Sequence, residues 1–201
     1  MKKLISFNAV ATLLLVLSVA VNVGLAAKVR SLQDKLDITQ TGHYLQPGAG
    51  VSPMGVKALD GSEAEIAYSG QALPTVVYVF STTCHWCKEN LESEKALAAS
   101  TAGRYRFVAL ALDADRDAVA KYVGENGLTF PVYYGPSTAT MRSYRLGGTP
   151  QTIVISSDGK VVEEWSGAYT LGTKAEVEKF FAVNLPGVRP MSDDDGAQTV
   201  N

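Results

Sequence analysis

Pro74–Leu97 reads PTVVYVFSTTCHWCKENLESEKAL, and its succession of residue types decides the fold. Thr75 to Phe80 is a β-branched and aromatic run, the pattern of a short strand buried on both faces. Ser81 to Thr83 is a polar turn. Cys84 and Cys87 then fall where a helix begins, over about His85 to Ala99. They are the chain's 2 cysteines, so all of its thiol chemistry sits at one strand-to-helix junction.

A thiol is a nucleophile only as thiolate, and the unpaired amides and dipole of a helix N-terminus favour that anion. A spacing of three puts both sulfurs on the first turn, close enough to open or close a small disulfide ring. In such a pair the outer cysteine attacks and the inner one resolves the mixed disulfide. Attack is assigned to Cys84 and resolution to Cys87. His85, when protonated, favours the Cys84 thiolate, and Trp86 keeps a backbone amide that a proline would lack. Both are expected to lower the Cys84 pKa and to make the couple less reducing than one with proline at position 86.

Other readings of the pair stay open at this point. A metal site needs four ligands, and only His43 and His85 could join the cysteines. A structural bridge across so short a loop adds little stability.

The bulk numbers set limits around this junction. With 201 residues there is room for one domain of ordinary size plus appendages. Hydrophobic residues make up 46% and charged ones 19%, a balance that argues against disorder. The net charge of −2 comes from interspersed signs with no basic stripe, so no nucleic-acid partner is expected.

Toward the N-terminus, Met1 to Lys3 is basic and Leu4 to Ala27 almost wholly apolar. A membrane anchor needs about 20 apolar residues. A cleaved signal peptide is the alternative, with Gly24-Leu25-Ala26 as its small-residue site. The anchor is favoured, because Leu25, Val29, Leu32 and Leu36 extend one helical face past that site. The expected organisation is an anchor and juxtamembrane helix over 1–38, a linker over 39–53, a globular domain over 54–187 and a disordered tail over 188–201. Both readings place the domain outside the cytoplasm: anchored to the inner membrane and facing the periplasm or exterior, or exported and soluble. His43, in the linker, is expected to have no role.

Within the domain, Val56–Leu59 and Glu63–Ala67 read as a hairpin across Asp60-Gly61. Tyr105 to Leu112 is a second buried strand. Asp113-Ala114-Asp115 caps a helix that Gly127 ends. A short extended segment over 129–134 and a short helix over 137–144 follow. Beyond Gly147-Gly148-Thr149-Pro150, the strands Gln151–Ser156 and Lys160–Ser166 form a hairpin across Ser157-Asp158-Gly159. A last helix is expected over about Thr173 to Asn184. This order predicts an α/β fold, a mixed sheet with helices on both faces. Thr149-Pro150 opens a strand where a cis-proline turn can form; a trans proline at a strand start is the plain alternative. A cis bond there would leave the Thr149 backbone to hold an extended substrate segment.

FSTTCHWCKENL, YRFVALAL, FPVYYG and GGTPQTIVISSDGKVVEEWSG fall in an order that resembles the thioredoxin superfamily, and most of all the membrane-anchored bacterial TlpA/ResA type. The resemblance covers about residues 50–186. It implies a thioredoxin-like fold with an extra N-terminal hairpin, and thiol–disulfide exchange outside the cytoplasm with the matching roles on Cys84, Cys87 and cis-Pro150. The resemblance also implies protein thiol or disulfide substrates, a membrane or periplasmic redox partner, and a substrate-holding role for Thr149 and cis-Pro150. Separately, a monomer is expected, whose redox group is the Cys84–Cys87 disulfide with no cofactor or metal. The chain departs from the family at several positions. Trp86 replaces the usual proline and Thr83 the usual aromatic residue before the first cysteine. Tyr78 and Asn90 stand where acidic residues are found in relatives. Glu89 and Glu92 face elsewhere on the helix, so the sequence offers no obvious side-chain base for Cys87.

Three functions compete. The leading one is extracytoplasmic thiol–disulfide exchange. A thiol peroxidase would need a PxxxTxxC arrangement, which Thr82-Thr83-Cys84 does not provide. A non-catalytic binding or metal-delivery module would use the cysteines as a holding site.

Overall fold

The computed structural model describes residues 14–16, 18–19, 21–26, 28–29 and 45–188. The chain divides between His43 and Tyr44 into two units. In the first, the described residues are helical, and the Asn22 side-chain amide donates to the Ser18 carbonyl. Among the described residues no helix is long and apolar enough to cross a membrane. The span expected over Leu4–Ala27 lies partly outside those residues, and His43 and the tail beyond residue 188 lie wholly outside them.

The second unit is built on a 7-stranded mixed sheet. Its strands are β1 (Met54–Ala58), β2 (Glu63–Ile66), β3 (Thr75–Phe80), β4 (Arg106–Ala111), β5 (Val132–Tyr134), β6 (Gln151–Ile155) and β7 (Val161–Ser166). They lie in the order β2-β1-β5-β4-β3-β6-β7. Parallel pairing of β3, β4 and β5 requires crossovers, supplied by α1 (His85–Ser100) and α2 (Arg116–Asn126). The antiparallel β6–β7 hairpin extends the sheet beside β3, and β1–β2 extends it beside β5. Two further helices are α3 (Thr138–Ser143) and α4 (Leu171–Phe181).

β3 is buried along its whole length, because both faces of the sheet are covered. Val76, Tyr78 and Phe80 pack with Cys87 and Leu91 of α1, Val119 of α2 and Phe181 of α4. Val77 and Val79 point the other way, toward Met54, Val56, Tyr68 and Tyr144. The period-two alternation of one strand thus seeds two cores. Each fully buried aliphatic or aromatic side chain stabilises the fold by about 1.5–3 kcal/mol relative to exposure.

The ends of these elements follow from local chemistry. Asp115, capping α2, accepts from the amides of Asp117 and Ala118, and Gly127 ends the helix in the left-handed conformation. α4 begins and ends earlier than the sequence suggests: Ala182, at φ 54°, breaks it before Asn184. Residues 45–51, expected as linker, are tied to the sheet. The amides of Gly48 and Val51 donate to the carbonyls of Val161 and Gly159, and Val161 donates back to Ala49. The reason is that β7 is an edge strand, and this segment satisfies edge groups that would otherwise lack partners.

Candidate active site

The turn leaving β3 is held from the next strand. Asp113, just past β4, accepts the Thr82 amide at 3.0 Å, the Thr82 hydroxyl at 2.7 Å and the Ser81 hydroxyl at 3.3 Å. The Leu112 amide donates to the Phe80 carbonyl at 2.9 Å. Because β3 and β4 are parallel, their C-terminal ends sit side by side, and Asp113 can fix the turn that delivers Cys84.

Cys84 is the N-cap of α1, with extended backbone at φ −78° and ψ 113°. Its Sγ accepts the Cys87 amide at 3.0 Å, one of the donors that a helix start leaves unpaired. No acidic residue occupies the first turn of α1, so no side-chain anion there offsets the positive end of the dipole. Cys84 and Cys87 are joined as a disulfide with Cα atoms 5.2 Å apart. Cys84 is half-buried, whereas Cys87 is 0% exposed. Only Cys84 can be reached from outside.

His85 is exposed and Trp86 is 41% exposed, and their rings meet edge to face at 5.4 Å between centroids. The described hydrogen bond to Cys84 Sγ comes from Cys87, and none from Trp86 is among those described. Trp86 instead contributes its side chain to a groove of about 250 Å³ that also involves Thr149, Pro150, Gly167, Ala168 and Thr170. The Thr149–Pro150 peptide is cis. The Thr149 carbonyl oxygen lies 3.5 Å from Cys84 Sγ, and the Pro150 carbonyl accepts the Gly167 amide at 2.8 Å. The structure therefore places Cys84 beside the groove that Trp86, Thr149 and Pro150 help to line, with Cys87 buried behind it. A larger depression of about 390 Å³, lined by Glu163, Glu164, Trp165, Glu176, Lys179 and Phe180, contains none of these residues.

Further along the buried side of α1 lies a polar group that the sequence reading missed. Glu94, on α1, is 0% exposed. Its Oε1 accepts the Asn90 side-chain amide at 2.8 Å and the Thr152 hydroxyl at 3.1 Å. Burial pushes its carboxyl up to about 8, only partly opposed by hydrogen bonds from Tyr169, Thr152 and Asn90. Asn90 is also fixed, since its Oδ1 accepts the Tyr169 amide at 2.8 Å. Glu89 is half-buried and Glu92 exposed, and Glu92 pairs with Lys95 at 2.9 Å. The described contacts of Glu94 are with Asn90, Thr152 and Tyr169, and none with Cys87 is among them. Helical spacing held the signal, because Cys87, Asn90, Leu91, Glu94 and Leu97 form one buried stripe. Asp113 carried no comparable signal: it reads as part of the cap of α2, but Asp115 does the capping.

Among the described residues no group of three or more His, Cys, Asp or Glu side chains could hold a metal ion.

Comparison with known proteins fits this geometry. The Redoxin family model matches residues 54–180, more than half of the chain. Two curated relatives, the thiol-disulfide oxidoreductases ResA of Bacillus thuringiensis (strain Al Hakam) and of Bacillus anthracis, are each 34% identical over 90 residues. That match covers 42% of this chain and 51% of each relative, so the chain spans about half the length of the curated relatives it matches. Among solved structures, StoA from Bacillus subtilis aligns with a TM-score of 0.53 at 18% identity, covering 67% of this chain and 98% of that one. A thiol:disulfide interchange protein DsbE from Chlorobium tepidum aligns at 0.56 with 20% identity, covering 69% and 97%. At such identities these two establish the fold. The chain belongs to the Redoxin family of the thioredoxin superfamily, and its likeness is to the TlpA/ResA type.

Proposed function

We propose that this chain is an extracytoplasmic thiol–disulfide oxidoreductase that exchanges disulfides with protein substrates through its CHWC pair. The observation that carries this reading is the asymmetry of the pair. Cys84 is partly exposed at a helix N-terminus, and Cys87 is sealed behind it within disulfide reach.

In the dithiol form the Cys84 thiolate attacks one sulfur of a substrate disulfide. A bond forms between Cys84 and that sulfur, and the other substrate sulfur leaves as thiolate. Cys87 then loses its proton and attacks Cys84 Sγ. The Cys84–Cys87 bond closes, and the first substrate sulfur departs. Two electrons pass from the enzyme pair to the substrate, and the reverse sequence oxidises a substrate dithiol. The groove beside Thr149 and Pro150 gives the substrate chain a place to lie, with the Thr149 carbonyl offering a backbone acceptor next to Cys84.

The amide of Cys87 and the start of α1 favour the Cys84 thiolate, and His85 adds to this when protonated. A Cys84 pKa below the ordinary value of about 8.5 follows, to be read from thiolate absorbance against pH. The apolar N-terminal segment supports the location outside the cytoplasm, held by an anchor, with a membrane or periplasmic redox partner. A structural relative from Mycobacterium tuberculosis is described as a secreted disulfide oxidoreductase.

Reduction of insulin disulfides tests the proposal. Turnover that is abolished by Cys84→Ser supports exchange. Its absence in the wild-type protein, with an intact Cys84–Cys87 pair, favours a non-catalytic binding or metal-delivery module.

A further inference from the structure

The segment that leads into the domain is fastened by one side chain. Glu164, half-buried on the edge strand β7, accepts the Leu45 amide on Oε2 at 2.7 Å and the Gln151 side-chain amide on Oε1 at 3.1 Å. Leu45 is 8% exposed and opens the stretch 45–51 that is bonded along β7. Gln151 is 2% exposed, directly follows cis-Pro150 and opens β6. One carboxylate thus ties the entry segment to the strand that begins at the groove.

The groups facing this carboxylate come from four places. On β7 itself, Glu163 is a like charge that opposes its ionisation, and beyond α3 the Arg145 guanidinium favours it. β6 and the entry segment bring the uncharged donors of Gln151 and Leu45. Burial is the largest influence and pushes the Glu164 carboxyl up, while the bonds from Leu45 and Gln151 pull it down. By linkage, a donor that favours the ionised form is itself held more tightly by that form.

Gln151 gives the carboxyl a second arrangement. Its Oε1 is buried with no hydrogen-bond partner, so nothing described at the far end of the amide fixes its orientation. Turning the amide over presents C=O in place of N–H to Glu164 and breaks no other described bond. An ionised carboxylate accepts only and requires the N–H; a protonated one offers an O–H and can use the C=O.

We propose that Glu164 and Gln151 form a two-state clasp on the entry segment, set by a single proton exchanged with solvent. Ionised, Glu164 accepts from Gln151 Nε2 and holds the Leu45 amide as a full carboxylate. Protonated, it donates to Gln151 Oε1, and Oε2 holds Leu45 as a neutral acceptor only. Hydrogen bonds to a charged acceptor are about twice as strong as neutral ones. Leu45 is therefore loosened, while Gly48 and Val51, which donate to the carbonyls of Val161 and Gly159, stay in place. The clasp goes beyond the exchange reading and does not depend on it.

Oxidised full-length protein labelled with ¹³C and ¹⁵N provides the test, followed by NMR across the carboxyl titration range. The Glu164 carboxyl is assigned through bonds along its own side chain. Exchange of the Leu45 amide, corrected for its intrinsic pH dependence, is compared with that of Val51 in the same segment. Loss of charge assistance predicts that Leu45 protection relative to Val51 falls about tenfold as pH drops through the Glu164 step. The Gln151 side-chain amide signals shift over the same range. In E164Q, which cannot ionise, both readouts are expected to stay flat. Leu45 protection that tracks Val51 at every pH overturns the proposal, as do Gln151 signals that do not move. A fall centred away from the Glu164 step, or one that persists in E164Q, overturns it equally. Should E164Q fail to fold, the wild-type coincidence of the three titrations decides alone.

Discussion

Replacing Glu94 by glutamine should make the oxidised protein more stable, and increasingly so as pH rises. The native carboxyl holds its proton to about 8, whereas the unfolded one releases it near the ordinary value of 4.5. Between those values the native state binds a proton that the unfolded state has given up. Stability is therefore full below 4.5 and falls as pH rises through about 8. At ~1.4 kcal/mol per pH unit, the wild-type protein loses roughly 3 kcal/mol by pH 7 and about 5 kcal/mol above pH 8. Glutamine keeps an oxygen for Asn90 and Thr152 and never ionises, so this loss should vanish in Glu94→Gln. Working with the oxidised form removes thiol titration from the comparison. Denaturant unfolding of both proteins at several pH values between about 5 and 9 gives the difference directly. A stability difference that stays constant across that range would falsify the reasoning, because it would mean that Glu94 ionises in the native state at its ordinary pKa.

The other consequences concern the turn and the dipeptide. Asp113→Ala leaves the Thr82 amide and the Ser81 and Thr82 hydroxyls without their acceptor. Hydrogen bonds to a charged group are each worth about 1.5–3 kcal/mol, and these are partly solvated. A loss of about 2 kcal/mol in unfolding free energy is expected, together with slower insulin reduction; unchanged turnover would show that the turn is positioned without Asp113. Trp86→Pro should make the couple more reducing when equilibrated against glutathione buffers, since proline removes an amide from the first turn of α1 and takes away the indole beside the groove. A potential that stays put or moves the other way would show that position 86 does not tune the pair.

What could be read from the sequence was set by local pattern. The run Thr75–Phe80 announced a doubly buried strand because β-branched and aromatic residues in sequence have few other uses. Asp115, Gly127 and the Ser157-Asp158-Gly159 turn likewise carry their geometry in their own side chains and backbones. The cysteine pair was equally legible, since a helix start after a buried strand is a chemical environment that can be named without coordinates.

Glu94 was not legible in the same way. A carboxyl on a helix reads as solvated unless its partners are known, and Thr152 and Tyr169 reach it from distant parts of the chain. Asn90 looked like a missing acid, yet its amide holds the acid one turn further along. Asp113 reads as a helix cap until the parallel register of β3 and β4 sets it beside Thr82. The stretch 45–51 reads as linker by its glycine and proline, and only the unpaired edge of β7 explains why it is held. For Glu94, Asp113 and the 45–51 stretch the deciding partner is remote in sequence and brought close by the sheet.

The central claim is that Cys84 attacks and Cys87 resolves. It is tested most directly by offering a disulfide-containing client to Cys87→Ser and Cys84→Ser, quenching with acid and mapping any adduct by mass spectrometry. The account predicts a lasting mixed disulfide on Cys84 in the Cys87→Ser protein and none on Cys87 in its counterpart, whose thiol is sealed from solvent. Adducts that form equally on both cysteines, or only on Cys87, would contradict it.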